Sequence, residues 1–327
     1  MPKEDWERTQ DAQAVELDLQ TVNELVRPAF AGQRVTCVER IGVGLSNTNF
    51  KLRLAGIEQP CVLRLYRGDA EIARKELAIA QLVRDTVSVA DFLYMDTSCS
   101  AAGKPWAILA WKEGFLLRDV RQSGSAQEIA SAAASAGSTL AKIHSYATPG
   151  SGFFGGDLRI AHPLRMDGER FLAFIEHCLF VRGCGQWLGE ELAQALWTFS
   201  QAHSYVLSEA AELPNLVHSD YNGLNILMKQ GPHGCEVSAV LDWEDAFSWN
   251  RYADIGNILR YEEEGSAFER HFIQAYKAQG VPLQTNWKLI SKLEDLVALC
   301  DMLSSSTADT PKRVQDLRQL IAGIVTR

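Results

Sequence analysis

The order of local sequence patterns is the feature that most constrains the fold of this 327-residue chain. Short β-rich runs separated by glycine-containing turns come first and predict an antiparallel meander. A helix and two further strands follow, and beyond residue 112 the pattern is almost entirely helical. The predicted strands cover 35–41, 49–54, 61–66, 90–96 and 105–111, and the first predicted helix covers 69–83 with Asp69 as its N-cap. We therefore expect an α+β protein with a small β-rich part and a larger helical part.

Most of the remaining predicted helices lie in the second half of the chain. An amphipathic stretch at 12–31 is also predicted to be helical, because its apolar residues recur at helical spacing. One β interruption remains in the helical part, a hairpin with strands 225–228 and 237–241 around the turn 231–234. The further predicted helices cover 126–144, 169–181, 189–212, 266–279, 286–304 and 312–325.

The composition excludes several classes of protein. With 46% hydrophobic and 22% charged residues, the chain is neither disordered nor fibrous. Its net charge of −9 argues against sequence-independent nucleic-acid binding and against general attraction to anionic membranes. No run approaches the roughly 18 apolar residues that span a bilayer, and no apolar run follows the charged start as it does in a secretory signal. The seven cysteines lack metal-site spacing, so we expect reduced thiols in a cytoplasmic protein without nucleic-acid or membrane partners.

Two polar runs flank the predicted hairpin. The first contains Asp220 and Asn225, which precede one strand, and the second contains Asp242, which follows the other strand. Because antiparallel strands joined by a short loop return the chain to its starting end, Asn225 and Asp242 are predicted to be neighbours. Two carboxylates and one amide oxygen at one rim suit Mg²⁺ whose coordination is completed by nucleotide phosphates. Each of the three, taken singly, could instead be an ordinary turn-forming residue.

The spacing H-x-D-x-x-x-x-N, the hairpin after it and the following D-W-E segment resemble the aminoglycoside phosphotransferase/choline kinase group, small-molecule relatives of the protein kinases. The resemblance extends in order over about residues 35–260. It implies a bilobal, protein-kinase-like fold, with a small antiparallel-sheet N-lobe that carries one helix and a larger, mainly helical C-lobe. The implied lobes are 1–112 for nucleotide binding, with the helical extension 12–31, and 113–327 for catalysis and substrate binding.

The same resemblance implies roles for the polar residues around the hairpin. Asp220 would be the catalytic base that accepts the proton of the acceptor hydroxyl. Asn225 and Asp242 would hold Mg²⁺ against the ATP phosphates. His218 would brace the loop rather than titrate in the reaction. Asp254 would buttress the loop from a following helix, although a helix N-cap is the alternative role for this residue.

The loop departs from the family pattern at two places. Ser219 stands where the family usually has Gly, and Tyr221-Asn222 stands where it often has Leu-His. Neither change removes a catalytic group, so the departures bear on the conformation of the loop and on the class of acceptor.

The front lobe would supply the nucleotide site, by the same resemblance. The glycine turn between the first two strands would bring backbone N–H groups close to phosphates, or it is only a hairpin turn. The segment 107–114 matches the family's hinge, where backbone groups would meet the adenine edge, or it is an ordinary strand end. The candidate nucleotide-binding residues of these two segments are Gly42, Gly44, Ser46, Asn47, Ala110, Trp111 and Lys112.

A charged pair in the front lobe offers a test of this interpretation. Arg64 stands where the kinase-like pattern usually has Lys and could contact phosphates, although an exposed strand residue is the alternative. Glu76 lies in the apolar stripe of the first predicted helix, and a carboxylate there needs a partner. Arg64 is the expected partner of Glu76, and Arg67 is the rival. Glu71 and Lys75, four residues apart, are instead typical of a solvated helix face.

The negative charge of the chain is concentrated in one stretch. Residues 209–270 contain twelve acidic and four basic residues, whereas the rest of the chain carries a net charge of only −1. An acidic cleft attracts cations, so we expect a hydroxylated, amine-bearing acceptor, unless the run 262–264 is merely a solvated helix end. The candidate acceptor-binding residues are Glu244, Asp245, Glu262 and Glu263, with Trp187, Trp249 and Tyr261 as candidate lining residues.

Together, these patterns predict an ATP- and Mg²⁺-dependent phosphotransferase. It would move the γ-phosphate to a hydroxyl of a small molecule, such as a cationic amino alcohol or an aminoglycoside-like acceptor. GTP in place of ATP and the oligomeric state stay open. The alternatives are a metabolic kinase for a sugar or amino alcohol and a non-catalytic nucleotide-binding pseudokinase. A protein kinase is less favoured, because the stretch from Asp242 to Asp254 is too short for a long activation loop.

Overall fold

The computed structural model describes Trp6 and residues 17–30, 32–41, 47–209 and 213–326. Within these ranges it confirms the predicted α+β architecture. The predicted turn residues Gly42, Gly44 and Ser46 lie outside the described residues, as does the first part of the predicted helix 12–31.

The front part of the molecule is an antiparallel sheet with two helices. Its elements are α1 (Leu19–Val26), β1 (Val35–Ile41), β2 (Thr48–Leu54), β3 (Cys61–Leu65), α2 (Ala70–Val83), β4 (Phe92–Asp96) and β5 (Trp106–Ala110). The five strands are arranged in the order β1-β2-β3-β5-β4. Asp69 caps α2 as predicted, because its carboxylate accepts hydrogen bonds from the backbone N–H groups of Glu71 (2.9 Å) and Ile72 (3.2 Å).

The rest of the chain supplies ten further helices among the described residues. They are α3 (Leu117–Ser123), α4 (Ala126–Ile143), α5 (Gly168–Phe180), α6 (Cys184–Leu188), α7 (Glu190–His203), α8 (Tyr205–Glu209), α9 (Tyr252–Leu259), α10 (Ala267–Ala278), α11 (Trp287–Ser304) and α12 (Pro311–Val325). The prediction of one continuous helix over 189–212 is wrong, because the helix is interrupted at Ser204, between α7 and α8. At Ser204 the backbone packs so tightly on α5 that a Cβ on Gly168 would lie 2.6 Å from the Ser204 carbonyl oxygen.

The helical part also contains more β structure than the sequence indicated. Its strands are β6 (Phe115–Leu116), β7 (Gly152–Phe154), β8 (Ile160–Pro163), β9 (Asn215–Val217), β10 (Ile226–Gly231), β11 (Gly234–Val240) and β12 (Phe247–Trp249). They form sheets in the orders β11-β10-β6 and β8-β7-β12-β9. The hairpin β10–β11 is the predicted one. The other five strands have two to four residues each, which is too short for an alternating pattern to be recognised.

Two large apolar cores and a small cluster of Tyr66, Ala73 and Ala107 hold these elements together. The smaller core lies between the five-stranded sheet and α1, and the larger one fills the helical part. Ile79 and Val83 on the inner face of α2 belong to the larger core, so α2 links the two parts. Trp6 also lies in the larger core, although it precedes the front part in sequence.

The remaining general expectations concern membranes and thiols. None of the described helices is long and apolar enough to cross a bilayer. All seven cysteines are free thiols, and five of them are buried.

Candidate active site

The hairpin β10–β11 brings the two polar runs together as predicted. Ile226 pairs with Val240 across the hairpin, and the backbone N–H of Leu241 donates to the carbonyl oxygen of Asn225 at 2.8 Å. Asn225 and Asp242 therefore stand side by side at the open end of the hairpin, which confirms the geometric prediction.

Two amides hold the carboxylate of Asp220. Asn225 donates from Nδ2 to Asp220 Oδ2 at 2.9 Å, and Asn222 donates from Nδ2 to Asp220 Oδ1 at 2.8 Å. Asn222 also accepts a hydrogen bond from the backbone N–H of Leu224 (2.9 Å), so its side chain is fixed at both ends. No such role was predicted for Asn222 from the sequence. Its position two residues after Asp220, where an Asx side chain commonly bonds to near neighbours, was the available signal.

Asp254, in α9, supports the loop that contains Asp220. Its carboxylate is fully buried and accepts hydrogen bonds from the backbone N–H groups of His218 and Ser219, both at 2.7 Å. Nε2 of His144 contacts the same carboxylate at 3.1 Å. Asp254 is not the N-cap of α9, because that position is occupied by Arg251. His144, at the end of α4, was missed because a histidine at a helix end carries no sequence signal of its partners.

The loop also carries backbone strain. Ser219 has a φ of +71°, in the left-handed region that favours glycine, which explains why the family usually has Gly at this place. The two hydrogen bonds to Asp254 hold the neighbouring peptide groups in that conformation. Ser219 therefore adopts a conformation that favours glycine, at a steric cost.

His218 connects the loop to the hairpin. Its Nε2–H donates to the carbonyl oxygen of Leu241 at 2.9 Å, and its Nδ1 accepts from the backbone N–H of Asp220 at 3.3 Å. The ring is fully buried. Both ring nitrogens are therefore occupied by main-chain groups, which are the contacts expected of a bracing residue.

Arg64 links the front sheet to Asp242. It forms the predicted buried ion pair with Glu76, and its Nη1 lies 3.2 Å from Asp242 Oδ1. Glu76 is 3% exposed and also accepts a hydrogen bond from the hydroxyl of Tyr66 at 2.6 Å. The rival partner Arg67 has an exposed side chain. Arg64 is thus neither an exposed strand residue nor an isolated cation.

The surroundings of Asp242 are suited to a cation. Burial raises the pKa of the Asp242 carboxyl, and the attraction of Arg64 only partly opposes this. Burial lowers the pKa of Arg64, but its attraction to Glu76, Asp242 and Tyr66 and its hydrogen bond to Glu76 together raise the pKa above the ordinary value, so Arg64 stays charged. A divalent ion beside Asp242 would relieve the cost of that buried negative charge.

Lys75 corrects one prediction about α2. It does not lie on a solvated face but is 8% exposed, near the charges of Asp245, Glu244 and Glu76. Burial lowers the pKa of the Lys75 amine, and these three carboxyl groups oppose the shift. Glu71 pairs instead with Arg74, three residues away, at 2.5 Å.

Asn47 and Glu244 contact each other across the two parts of the molecule. Asn47 donates from Nδ2 to Glu244 Oε2 at 2.7 Å and accepts from the backbone N–H of Arg67 at 3.1 Å. Burial, followed by the repulsion of Asp242 and Asp245, raises the pKa of Glu244 to about 8. Both residues are buried. The hydrogen bond brings Asn47, a candidate nucleotide-binding residue, into contact with Glu244, a candidate acceptor-binding residue.

A cavity of about 210 Å³ lies between the front sheet and the hairpin. Apolar residues including Val62, Leu109 and Leu227 line its walls, and Arg64 and Asp242 stand at its polar end. The candidate hinge residues Ala110, Trp111 and Lys112 also line this cavity, as does Glu76.

The hinge residues differ in what their backbones can offer. The backbone N–H of Ala110 already donates to the carbonyl oxygen of Asp91 at 2.8 Å. The N–H and C=O groups of Trp111 and Lys112 form no backbone hydrogen bond with any other described residue. The ammonium group of Lys112 forms an ion pair with Asp91 at 3.2 Å. A base in this cavity therefore has the main chain of 111–112 as its available polar edge.

A second cavity, of about 340 Å³, lies between α9, α11 and α12. Glu262, Glu263 and Tyr261 line it, whereas the other candidates Glu244, Asp245, Trp187 and Trp249 do not. The indole N–H of Trp249 donates instead to the buried Glu294 at 2.8 Å.

One wall of the second cavity connects it to the Asp220 loop. Arg260 forms a buried ion pair with Asp295 at 2.7 Å. Asn257, in the amide orientation that satisfies both partners, accepts from Arg260 at 3.1 Å and donates to the carbonyl oxygen of Tyr221 at 3.0 Å. Tyr221 follows Asp220 directly, so two hydrogen bonds connect the Asp220 loop to the Arg260 side of this cavity.

Most acidic residues around the second cavity have basic partners. Glu262 forms an ion pair with Arg121 of α3, and Glu264 and Glu269 pair with Lys288 of α11 at 3.0 and 2.7 Å. Among the described residues, Glu263 has no such partner. The uncompensated negative charge around the second cavity is therefore much smaller than the count of acidic residues in 209–270 suggested.

The donor set fits magnesium rather than a transition metal. Within the described ranges, no group of three or more His, Cys, Asp or Glu residues could hold a metal ion by itself. Asn225 and Asp242 carry hard oxygen atoms side by side, and Asp242 lines the first cavity. Mg²⁺ is commonly held in this way, by one or two protein oxygens together with substrate phosphates.

Comparison with known proteins agrees with this arrangement. The profile of the APH group, the phosphotransferase enzyme family, matches residues 38–287. Aminoglycoside phosphotransferase APH(4)-Ia is similar with a TM-score of 0.70 and 15% identity, covering 94% of this chain and 99% of that chain. The GDP complex of aminoglycoside 2'-phosphotransferase-IIIa gives 0.72 and 14%, covering 95% and 99%.

A third solved structure contains both a nucleotide, AMP-PNP, and a second small molecule, hygromycin B. It is a thermostable mutant of APH(4)-Ia in ternary complex with AMP-PNP and hygromycin B, with a TM-score of 0.67 and 16% identity, covering 94% of this chain and 98% of that chain. No curated protein sequence matches the chain. At these identities the solved structures show the protein-kinase-like fold alone, whereas the family profile covers most of the sequence. The chain therefore belongs to the phosphotransferase enzyme family and is a kinase that transfers phosphate to a hydroxyl group.

Proposed function

We propose that the protein transfers the γ-phosphate of ATP, in the presence of Mg²⁺, to a hydroxyl of a small, amine-bearing molecule. The observation that carries this proposal is the position of Asp220. Asn222 and Asn225 hold its carboxylate, Asn225 stands beside Asp242, which lines the first cavity, and hydrogen bonds through Asn257 connect the loop to Arg260 in the wall of the second. In this proposal the carboxylate acts between a nucleotide in the first cavity and an acceptor in the second.

The nucleotide would occupy the first cavity. Its base would lie between the apolar walls against the main chain of 111–112, and its phosphates would point towards Arg64 and Asp242. Asn225 and Asp242 would hold Mg²⁺, which when bound neutralises part of the phosphate charge. The solved relatives include complexes with AMP-PNP and with GDP, so we keep GTP as an alternative donor. In this proposal the nucleotide-binding lobe is 1–112 and the catalytic lobe is 113–327.

Asp220 would act on the acceptor hydroxyl. One carboxylate oxygen accepts the hydroxyl proton while the hydroxyl oxygen forms a bond to the γ-phosphorus, and the bond to the β-phosphate oxygen breaks to release the nucleoside diphosphate. The two amide donors orient the carboxylate for this step. Arg64 would neutralise phosphate charge, held in place by Glu76. His218 and Asp254 would position the loop without contacting the substrate.

The second cavity would bind the acceptor. Its exposed Glu263, which has no basic partner among the described residues, favours an acceptor with at least one ammonium group. Glu262 would contribute less, because Arg121 compensates its charge. Hygromycin B, which accompanies AMP-PNP in the ternary complex of a solved relative, is one candidate acceptor, but an amino alcohol or amino sugar of metabolism fits the same observation.

An acceptor screen tests this function. ADP release would be measured with Mg²⁺ and a panel of hydroxylated amines, neutral sugars and anionic hydroxyl compounds. We expect turnover with hydroxylated amines and a loss of about 10²–10⁴-fold in kcat for Asp220→Asn. Asp157→Asn, an exposed change on the turn between β7 and β8, should behave as wild type.

Two results would contradict the proposal. Equally low turnover of the wild type and Asp220→Asn with every acceptor would indicate the non-catalytic alternative. A preference for neutral or anionic acceptors would refute the acceptor class and leave the phosphotransferase activity standing.

A further inference from the structure

Trp6 belongs to the part of the molecule that contains the second cavity. Its side chain is 7% exposed and lies in the core of the helical part, near α12. Leu17, only eleven positions later, packs against the other core, between the front sheet and α1. Residue 6 is therefore separated in space from the helix that follows it, and its contacts lie in the catalytic part of the chain.

The indole of Trp6 forms a hydrogen bond with a buried carboxylate. Its Nε1–H donates to Oδ2 of Asp316 at 2.9 Å, and the guanidinium carbon of Arg313 lies 5.3 Å from the centre of the ring. Asp316 is 2% exposed, so its charge depends on protein donors in place of water. Arg313 and Asp316 are one turn apart on α12, and Trp6 contacts both.

The same carboxylate oxygen positions a residue of the second cavity. The hydroxyl of Tyr261 donates to Asp316 Oδ2 at 2.7 Å. Tyr261 and Asp316 both line this cavity, whereas Trp6 does not. Two donors thus converge on one oxygen, one from the wall of the cavity and one from behind it.

We propose that Trp6 is a positioning residue of the acceptor cavity. By donating to Asp316 Oδ2 from outside the cavity, it fixes the carboxylate to which the Tyr261 hydroxyl is bonded, and through Tyr261 the segment 260–266, of which residues 260–264 line the cavity. The acceptor-binding consequence rests on the proposed function. The contact itself does not, because it is a property of the protein without ligand.

The main test removes only the indole N–H. Trp6→Phe keeps an aromatic ring in the core and deletes the donor to Asp316. Trp197→Phe is the matched control, because Trp197 packs against the same core from α7 and forms no hydrogen bond within the described residues. Hydrogen–deuterium exchange of the full chain without ligand should be several-fold faster at 260–266 in Trp6→Phe and unchanged there in Trp197→Phe.

Kinetics provide the second readout. Hygromycin B is the first probe, followed by the best acceptor of the panel. In Trp6→Phe the KM for the acceptor should rise about tenfold, as expected for losing a hydrogen bond to a charged group that supports the site. The kcat and the KM for ATP should stay within about twofold, which a merely destabilising change would not achieve. Because Trp6 and Tyr261 donate to the same oxygen, the effects of Trp6→Phe and Tyr261→Phe on the acceptor KM should be less than additive.

The outcomes separate this proposal from the proposed function. Unchanged exchange at 260–266, or an equal change in Trp197→Phe, overturns the role of Trp6 whatever the kinetics show. A KM for the acceptor that does not change, in a variant with faster exchange, also overturns it. If the wild type phosphorylates no compound of the panel, the proposed acceptor function fails, and the exchange result alone decides whether Trp6 holds this wall.

Discussion

Replacing Asp254 with Asn should uncouple the catalytic loop from the helix that supports it. In the structure, Oδ2 of Asp254 accepts from the N–H of His218 and from His144, and Oδ1 accepts from the N–H of Ser219. An amide has only one acceptor oxygen. We expect it to occupy the position of Oδ2, where two donors converge, so that the new NH₂ group faces the N–H of Ser219.

The cost can be calculated from these contacts. A hydrogen bond to a charged group is worth about 1.5–3 kcal/mol, and leaving the N–H of Ser219 unsatisfied costs about 1–3 kcal/mol more. Asp254 is fully buried and Ser219 is half-buried, so water has little access to the position of the lost acceptor. Asp254→Asn should therefore lower the free energy of unfolding by about 2.5–6 kcal/mol. It should also reduce kcat, because the lost bond holds the left-handed conformation at Ser219, one residue before Asp220.

Chemical denaturation and steady-state kinetics would measure both effects. Asp309→Asn is the matched control, because Asp309 is exposed and forms no hydrogen bond with any described residue. It should change stability by less than about 0.5 kcal/mol. If Asp254→Asn lost less than about 1 kcal/mol and kept its kcat, the three contacts would not be supporting the loop, and the reasoning would be refuted.

Two further predictions concern neighbouring residues. In the folded protein the pKa of Glu244 is raised from 4.5 to about 8, so the folded protein binds this proton more tightly than the unfolded chain does. The protonated carboxyl therefore contributes fully to stability below about pH 4.5, and this contribution is lost as the pH rises through 8. Glu244→Gln keeps an acceptor for Asn47, so in Mg²⁺-free denaturation it should become more stable relative to wild type by about 4 kcal/mol between pH 5 and 9, and a constant difference would contradict this. Ser219→Gly should raise the free energy of unfolding by about 0.5–1 kcal/mol by relieving the positive φ, whereas Ser219→Ala should not; a loss of stability in the glycine variant would count against strain at this position.

The parts of the site that were predictable are those encoded over short distances in the sequence. The hairpin places Asn225 next to Asp242 by the geometry of two antiparallel strands. Glu76 needed a partner because it interrupts an apolar stripe, and the resemblance to the kinase Lys–Glu pair favoured Arg64 over Arg67. The hairpin geometry and the need of Glu76 for a partner depend on local periodicity and on one turn, which a sequence expresses directly.

Other parts of the site depend on contacts between distant segments. His144 meets Asp254 across 110 positions of sequence, and Trp6 meets Asp316 across 310. Lys75 was assigned to a solvated face because the spacing to Glu71 is typical of one, but the D-W-E segment folds over that face. No periodicity within one element indicates which distant segment will cover it.

The electrostatics of the protein show the same division. The sequence alone determined that residues 209–270 carry nearly all of the net negative charge, because that is a count of residues. Only the tertiary structure decided how much of this charge faces a ligand. Lys75, Arg121 and Lys288 come from outside the stretch and lie beside Glu244, Glu262 and Glu269, so several of the acidic residues are compensated. Charge adds along a chain, but its field at a site depends on distance and burial, and the fold sets both.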